Sequence, residues 1–156
     1  MSRVLVIGFG NAMRGDDGLG WHAAQKLLHA GLGDGVHVLP CRQLTPELAA
    51  EVAAAGFVLF IDVACDLPVG EVDCIDVECV HDRPSFCLHR LNPSGLLALA
   101  RDVYGEYPPA VALVAGAESF ECGAPLSPPA AAALVRVVEQ ARRIIAHRLA
   151  VAPCPG

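Results

Sequence analysis

Three acidic residues and one histidine are the side chains of this sequence whose types and positions best suit chemistry. Asp16 and Asp17 are adjacent in a glycine-rich segment, Asp62 ends an apolar run, and His89 lies in a predicted loop before a predicted helix. Two carboxylates and an imidazole form a set of oxygen and nitrogen donors that accommodates Ni, Zn, Mn or Co and leaves coordination positions open for a substrate. The residue types therefore point to a metal-contacting site of Asp17, Asp62 and His89.

The glycine-rich segment 8–20, GFGNAMRGDDGLG, follows a predicted strand and opens a predicted helix. A dinucleotide-binding loop at this place requires a third glycine at position 13, where this chain has Met13. Two carboxylates near a helix N-terminus would repel a pyrophosphate, whereas the helix dipole keeps them ionised and able to hold a cation. The alternative is that Asp16, or Asp17, is simply the N-cap of the helix.

Asp62 ends the run FVLFID, residues 57–62, which is otherwise wholly apolar and typical of a central strand. A buried carboxylate costs several kcal/mol unless it is paired, so a metal or a donor loop is expected beside it. Ligand sites in parallel sheets lie beyond the carboxyl ends of the strands, and we therefore expect Asp17 and Asp62 to face one crevice. The alternative is a structural aspartate that caps the next turn.

Apolar runs and helical stretches alternate along the chain, which predicts an α/β fold with a parallel sheet. We expect one domain over residues 1–150, a three-layer sandwich with about five strands and helices on both faces, and a disordered tail over 151–156. Residues 70–80 alternate acids with apolar residues and are predicted to form an antiparallel edge strand. The remaining predicted strands are 4–7, 36–39, 57–63 and 110–115, and the predicted helices are 18–30, 46–55, 94–103 and 128–149.

Composition excludes several classes of function. A net charge of −6 gives no electrostatic reason to bind nucleic acid, and no apolar run is long enough to cross a bilayer or form a signal-peptide core. Seven cysteines are an odd number without a CxxC pair, so we expect reduced thiols in a cytoplasmic protein. Cys41, Cys65 and Cys87 could lie near the crevice, but packing is the more common role of a free cysteine.

The motifs together resemble the [NiFe]-hydrogenase maturation endopeptidase family. The resemblance covers about residues 3 to 148 and is far more specific in combination than in any single motif. Its parts, in the family's order, are GFGN with RGDDGLG, the strand of Asp62, His89 with LLALA after it, YGEYP, and GAESF with LSP before the last helix.

This resemblance implies an endopeptidase that removes a short C-terminal extension from a nickel-loaded hydrogenase large-subunit precursor. Nickel is then supplied by the precursor and no organic cofactor is needed, although another divalent metal could substitute in vitro. Asp17, Asp62 and His89 match the family's metal-contacting acid, second acid and histidine. We expect a monomer, with no membrane or nucleic-acid partner.

The loop after the second strand departs from the family's pattern. Many members have a glycine- and threonine-rich loop there, and this chain has CRQLTPEL over residues 41–48. Arg42, Gln43 and Thr45 are therefore predicted to contact the substrate, and the departure leaves open which hydrogenase is the partner.

Two questions remain open at this point, the catalytic mechanism and whether the protein hydrolyses its partner. Asp17 or Asp62 could be a general base for water beside a metal that polarises the scissile carbonyl, or the two carboxylates could share a proton as in aspartic peptidases. A non-catalytic nickel- or precursor-binding chaperone would use the same residues without hydrolysis.

Overall fold

The structure of the chain is a computed structural model that describes residues 3–79 and 91–151. Strands and helices alternate along most of its length, and a short 3₁₀ helix, Gly15–Gly18, precedes the first α-helix. The strands are β1 (Val4–Phe9), β2 (Val36–Cys41), β3 (Phe57–Val69), β4 (Val72–Asp76) and β5 (Ala110–Gly116). The helices are α1 (Leu19–His29), α2 (Leu48–Ala54), α3 (Pro93–Tyr104) and α4 (Pro128–Ala150).

The five strands form one sheet in the order β2-β1-β3-β5-β4. All neighbouring strands are parallel except β4, which pairs antiparallel with β5. Both outer strands have edge features: Pro40 in β2 lacks a backbone donor, and the acids Asp73 and Asp76 of β4 are exposed. The predicted α/β sandwich with a mostly parallel sheet and one antiparallel edge strand is confirmed.

Side chains of the central strands alternate between two apolar layers. Val4 and Val6 of β1 pack in the layer formed with α1 and α4, whereas Leu5 and Ile7 pack in the layer formed with α2 and α3. All four side chains are buried, and each buried side chain of this size stabilises the fold by about 1.5–3 kcal/mol. Both faces of the sheet are covered by helices, so the central strands are apolar along their whole length. This continuous apolar sequence is the pattern from which the strands were predicted.

The predicted elements are all present, with shifted ends. The largest shift is in β3, which continues past residue 63 to Val69. Beyond a register shift after Ala64, Val69 pairs with Gly116 of β5. Ser127 caps α4 as predicted, since its side chain accepts a hydrogen bond from the N–H of Ala130. The proposed disordered tail lies outside the described residues except for Val151.

Two connections lie at the amino ends of the strands, opposite the end where β1 and β3 finish. Residues 31–35 lead into β2, and residues 105–109 lead into β5. Gly33 and Gly105 lie in these connections, and a methyl group added to either would meet no other atom within 4 Å. Among the described residues, no helix has both the length and the apolar sequence needed to cross a membrane.

Candidate active site

A cavity of about 470 Å³ lies at the carboxyl end of β1, beside Asp62 of β3. The sheet extends from β1 to β2 on one side and from β1 to β3 on the other, so the strand order reverses between β1 and β3. Ligands bind at such switch points in open α/β sheets. The lining residues are Phe9, Gly10, Asn11, Arg14, Asp17, Arg42, Gln43, Leu44, Asp62, Leu91, Asn92 and Pro93.

Asp17 reaches the cavity from the 3₁₀ helix that follows β1. Its Oδ2 accepts a hydrogen bond from the backbone N–H of Asn11 at 3.0 Å, and the Oδ1 of Asn11 accepts from the N–H of Met13 at 2.9 Å. Arg14 closes the same turn, since its N–H donates to the carbonyl of Asn11 at 3.0 Å. The backbone of the turn therefore orients a half-buried carboxylate at the cavity wall.

Two glycines allow this turn to lie directly against the strand ends. Gly10 has a φ of +151°, and a Cβ there would lie 1.9 Å from the carbonyl oxygen of Asp17. A Cβ at Gly20 would lie 2.3 Å from the carbonyl oxygen of Ile61 and 2.5 Å from that of Phe9. The start of α1 is thereby brought against the ends of β1 and β3, where Asp62 follows.

Asp62 is the first residue of β3 beyond its pairing with β1, which ends at Gly8 and Ile61. It is half-buried and lines the same cavity as Asp17. The prediction that these two carboxylates face one crevice is confirmed in position, and their catalytic roles stay predictions. Both acids, with Arg14 and Arg42, give the cavity a mixed charge.

Asp16 is not the N-cap of α1, so that alternative in the sequence analysis is wrong. The N-cap is Gly18, which makes no side-chain capping bond. Asp16 instead points away from the helix and is 0% exposed. Its carboxylate accepts hydrogen bonds from the N–H groups of Glu118 (2.8 Å) and Ser119 (3.2 Å) and from the N–H (2.7 Å) and hydroxyl (2.8 Å) of Ser127.

The ionisation of Asp16 follows from these contacts. Burial favours the neutral acid and alone would raise the pKa of Asp16, but the hydrogen bonds from Ser127, Glu118 and Ser119 outweigh burial and hold the pKa below its usual value. Asp16 is therefore a buried anion that its donors stabilise.

The loop after β2 contributes side chains to the cavity, and the substrate contacts predicted for this loop stay predictions. Arg42 and Gln43 line the cavity, and both are exposed. Thr45 is not among the lining residues, and the buried side chain of Leu44 lines the cavity in its place. Three consecutive residues of this loop, 42–44, therefore lie at the cavity wall.

His89 and Cys87 lie outside the described residues, so the predicted set of Asp17, Asp62 and His89 is described only for its two acids. Within residues 3–79 and 91–151, no three His, Cys, Asp or Glu side chains form a group that could hold a metal ion. Cys41 is half-buried, and burial raises the pKa of its thiol, in agreement with a packing role. Cys65 is exposed, so the packing role expected for it is wrong.

Known proteins of solved structure share this fold. No protein-family model matches the sequence, and no curated protein matches it. Among solved structures, the hydrogenase maturation protease HycI of Thermococcus kodakarensis superposes with a TM-score of 0.77 at 21% identity, over 93% of each chain. The endopeptidase HybD of E. coli superposes with a TM-score of 0.76 at 23% identity, also over 93% of each chain. A hydrogenase 2 maturation peptidase from a Thaumarchaeota archaeon gives 0.68 at 23% identity, over 92% of this chain and 98% of the other.

This chain has the fold of the hydrogenase maturation proteases. The family resemblance seen in the sequence motifs is thereby confirmed at the level of the fold, over nearly the whole of each chain. Within this maturation-protease fold, sequence reasoning missed Asn11 and Arg14 as cavity residues and Asp16 as a buried anchor. The signal for Asn11 and Arg14 was their position in the same loop as Asp17, between β1 and α1.

Proposed function

We propose that the protein is an endopeptidase that removes a short C-terminal extension from a nickel-loaded [NiFe]-hydrogenase large-subunit precursor. The observation that carries the proposal is that Asp17 and Asp62 line one cavity at the switch point of a maturation-protease fold. Carboxylates at the carboxyl ends of parallel strands are well placed to act on a bound substrate. The resemblance of the sequence motifs supplies the substrate class.

Nickel belongs to the substrate in this proposal. Asp17 and Asp62 provide oxygen donors for a metal that precursor thiolates already hold, so the enzyme needs no complete metal site of its own. One of the two carboxylates accepts a proton from the attacking water, and the bound metal polarises the scissile carbonyl. The aspartic-type scheme, in which the two carboxylates share a proton, uses the same residues.

His89 is proposed as the third residue that contacts the metal. The proposal rests on its match to the family's histidine and on its place in the sequence, two residues before Leu91. Leu91, Asn92 and Pro93 line the cavity, so the chain reaches the cavity wall immediately after the segment that contains His89.

Arg42 and Gln43 are proposed to bind the precursor. Both are exposed polar side chains at the cavity wall, and Arg42 supplies a positive charge opposite to the charge of Asp17 and Asp62. Thr45, which was predicted with them, does not line the cavity. The protein is further proposed to act in the cytoplasm as a monomer.

The test is incubation of the purified protein with a nickel-loaded large-subunit precursor, with the precursor's mass followed over time. Metal-free precursor and the variants Asp17→Asn, Asp62→Asn and His89→Ala are assayed in parallel. Asp34→Asn, an exposed substitution outside the cavity, controls for the loss of one negative charge. The expected result is loss of a C-terminal peptide only when nickel is present, with the wild-type protein and Asp34→Asn active.

A precursor that binds but keeps its full mass would contradict the peptidase function. That result would favour the non-catalytic chaperone, provided that the substitutions at Asp17 and Asp62 weaken binding. Cleavage of metal-free precursor at the same rate would contradict the role of nickel in recognition and leave the peptidase activity intact.

A further inference from the structure

Asp16 is the one charged side chain that is buried among the described residues, and the proposed reaction gives it no role. It adjoins Asp17 in the short 3₁₀ helix Gly15–Gly18, yet the two side chains have different surroundings. Asp17 is half-buried at the cavity wall, and Asp16 is completely buried. A carboxylate is costly to bury, and a helix-capping carboxylate can remain at the surface. The complete burial of Asp16 therefore indicates a role other than capping.

All four donors to Asp16 come from the connection between β5 and α4. Glu118 and Ser119 follow the end of β5 and donate through backbone N–H groups, and Ser127 directly precedes α4. A buried carboxylate with four charge-assisted hydrogen bonds is a strong and directional anchor. Asp16 therefore ties the loop that carries Asp17 to a segment more than 100 residues away in the sequence.

Backbone contacts around Asp16 strengthen the same attachment. The N–H of Asp16 donates to the carbonyl of Ser119 at 2.8 Å, and the N–H of Gly15 donates to that of Ala124 at 3.1 Å. The N–H of Gly123 donates to the carbonyl of Met13 at 2.6 Å. The β5–α4 connection is thus hydrogen-bonded to the Asp17 loop at several positions.

Ser127 connects Asp16 to α4, the longest helix among the described residues. Its hydroxyl donates to Asp16 at 2.8 Å and accepts from the N–H of Ala130 at 3.4 Å, so one oxygen both holds Asp16 and caps α4. The negative charge of Asp16 lies at the N-terminal end of this 23-residue helix, where the helix dipole stabilises an anion. The anchor is therefore attached to a rigid element that packs against α1.

We propose that Asp16 is a positioning residue, which holds the 3₁₀ helix so that the carboxylate of Asp17 stays on the Asn11 N–H and faces the cavity. The predicted effect of Asp16 on activity rests on the proposed function. The placement of Asp17 by Asp16 does not depend on which substrate the cavity binds. A displacement of about 1 Å at a reacting group can lower a rate by about 100-fold, so a remote anchor of this kind is able to control activity.

The experiment combines activity with a direct report on Asp17. Asp16→Asn, Ser127→Ala, Ser127→Thr and the control Asp34→Asn are compared with the wild type in the nickel-loaded precursor assay, at a temperature where each is folded. The amide signal of Asn11 is followed in nitrogen–proton correlation spectra of the same proteins, with Asp17→Asn defining the signal when the carboxylate is lost. Loss of stability alone does not move this signal in a folded protein.

The expected result is a fall in kcat/KM of about 10- to 100-fold in Asp16→Asn and a smaller fall in Ser127→Ala. In both variants the Asn11 signal moves toward its position in Asp17→Asn, and Ser127→Thr, which keeps the hydroxyl, restores both readouts. Ser127→Ala leaves both aspartates in place, so it decides the question if Asp16→Asn does not fold.

An Asn11 signal that stays at its wild-type position in Asp16→Asn and Ser127→Ala would overturn the inference. Unchanged kcat/KM with a moved signal would overturn the claim that this placement controls activity. If the wild type does not cleave the precursor, the proposed function fails, and the Asn11 signal still decides whether Asp16 positions Asp17.

Discussion

Ser127 donates both its backbone N–H, at 2.7 Å, and its hydroxyl, at 2.8 Å, to the carboxylate of Asp16, which lies 111 residues earlier in the sequence. This pair joins the first loop of the chain to its last helix. Because Asp17 follows Asp16 directly, the candidate active site depends on residues from both ends of the protein. The stability of the fold and the shape of the cavity should therefore be linked through this pair.

Replacing Ser127 by alanine is expected to lower the free energy of unfolding by about 1 to 3 kcal/mol. The variant loses the N-cap of α4 and one of the four hydrogen bonds to Asp16. Urea unfolding measures the loss, and Ser127→Thr should recover most of it. A change below about 0.5 kcal/mol in Ser127→Ala would show that water replaces the hydroxyl without cost.

Stability should decrease in acid partly through Asp16. The pKa of Asp16 is lower in the folded protein than its usual value of 3.8, so its contribution to stability is present above that value and is lost as the pH falls through the folded-state pKa. Between about pH 5 and about pH 2, the free energy of unfolding of Asp16→Asn should therefore vary less with pH than that of the wild type. Equal slopes for the two proteins, measured by urea unfolding at each pH, would contradict a stabilised anion at this position.

Gly10→Ala is expected to be far more damaging than Gly33→Ala, although both glycines have positive φ angles. The added methyl at Gly10 would lie 1.9 Å from the carbonyl oxygen of Asp17, whereas at Gly33 it meets nothing within 4 Å. Gly33→Ala should cost about 1 to 2 kcal/mol of backbone strain, and Gly10→Ala should exceed about 4 kcal/mol or prevent folding. Thermal unfolding of both variants tests this comparison, and equal costs would refute the close approach at Gly10.

Arg42→Ala and Gln43→Ala should raise KM for the precursor by roughly 5- to 50-fold, with a smaller change in kcat. Both side chains line the cavity and are exposed, so they are able to contact a bound chain. Thr45→Ala is the matched control from the same loop, and its KM should stay within about threefold of the wild type. A larger effect at Thr45 than at Arg42 would place the binding surface elsewhere in the loop.

Alkylation should distinguish the cysteines by environment. Cys41 is half-buried with a raised pKa, and burial together with Asp76 and Asp73 raises the pKa of Cys74, whereas Cys65 is exposed. Iodoacetamide near pH 8 reacts with thiolates, so Cys65 should be modified before Cys74, and Cys41 should react last. Peptide mass spectrometry over a time course measures the order, and early modification of Cys41 would contradict its packed position.

The fold was largely predictable because its elements have strong local signals. The run of residues 57–61 identifies a buried strand, and Ser127 before two prolines identifies the start of α4. The second half of β3, Ala64 to Val69, contains an acid and a proline and has no such signal, since it is a strand only through its pairing with Gly116 of β5.

The position of Asp17 and Asp62 at one cavity was predictable, because each carboxylate lies at or just after the end of a predicted strand. The role of Asp16 could not be predicted, because an aspartate before a predicted helix is a common N-cap and its actual partners lie more than 100 residues away in the chain. Sequence alone does not show which side chains of a loop point inward, so it could not separate Arg42, which lines the cavity, from Thr45, which does not.

The cavity-lining loops after β1 and β2 leave the sheet at the carboxyl ends of these strands, and the connections at Gly33 and Gly105 lie at the amino ends. A fluorophore, an affinity handle or a surface tether attached at either glycine would leave the mouth of the cavity unobstructed. Immobilised in that orientation, the protein would present its cavity to a macromolecule as large as a folded precursor.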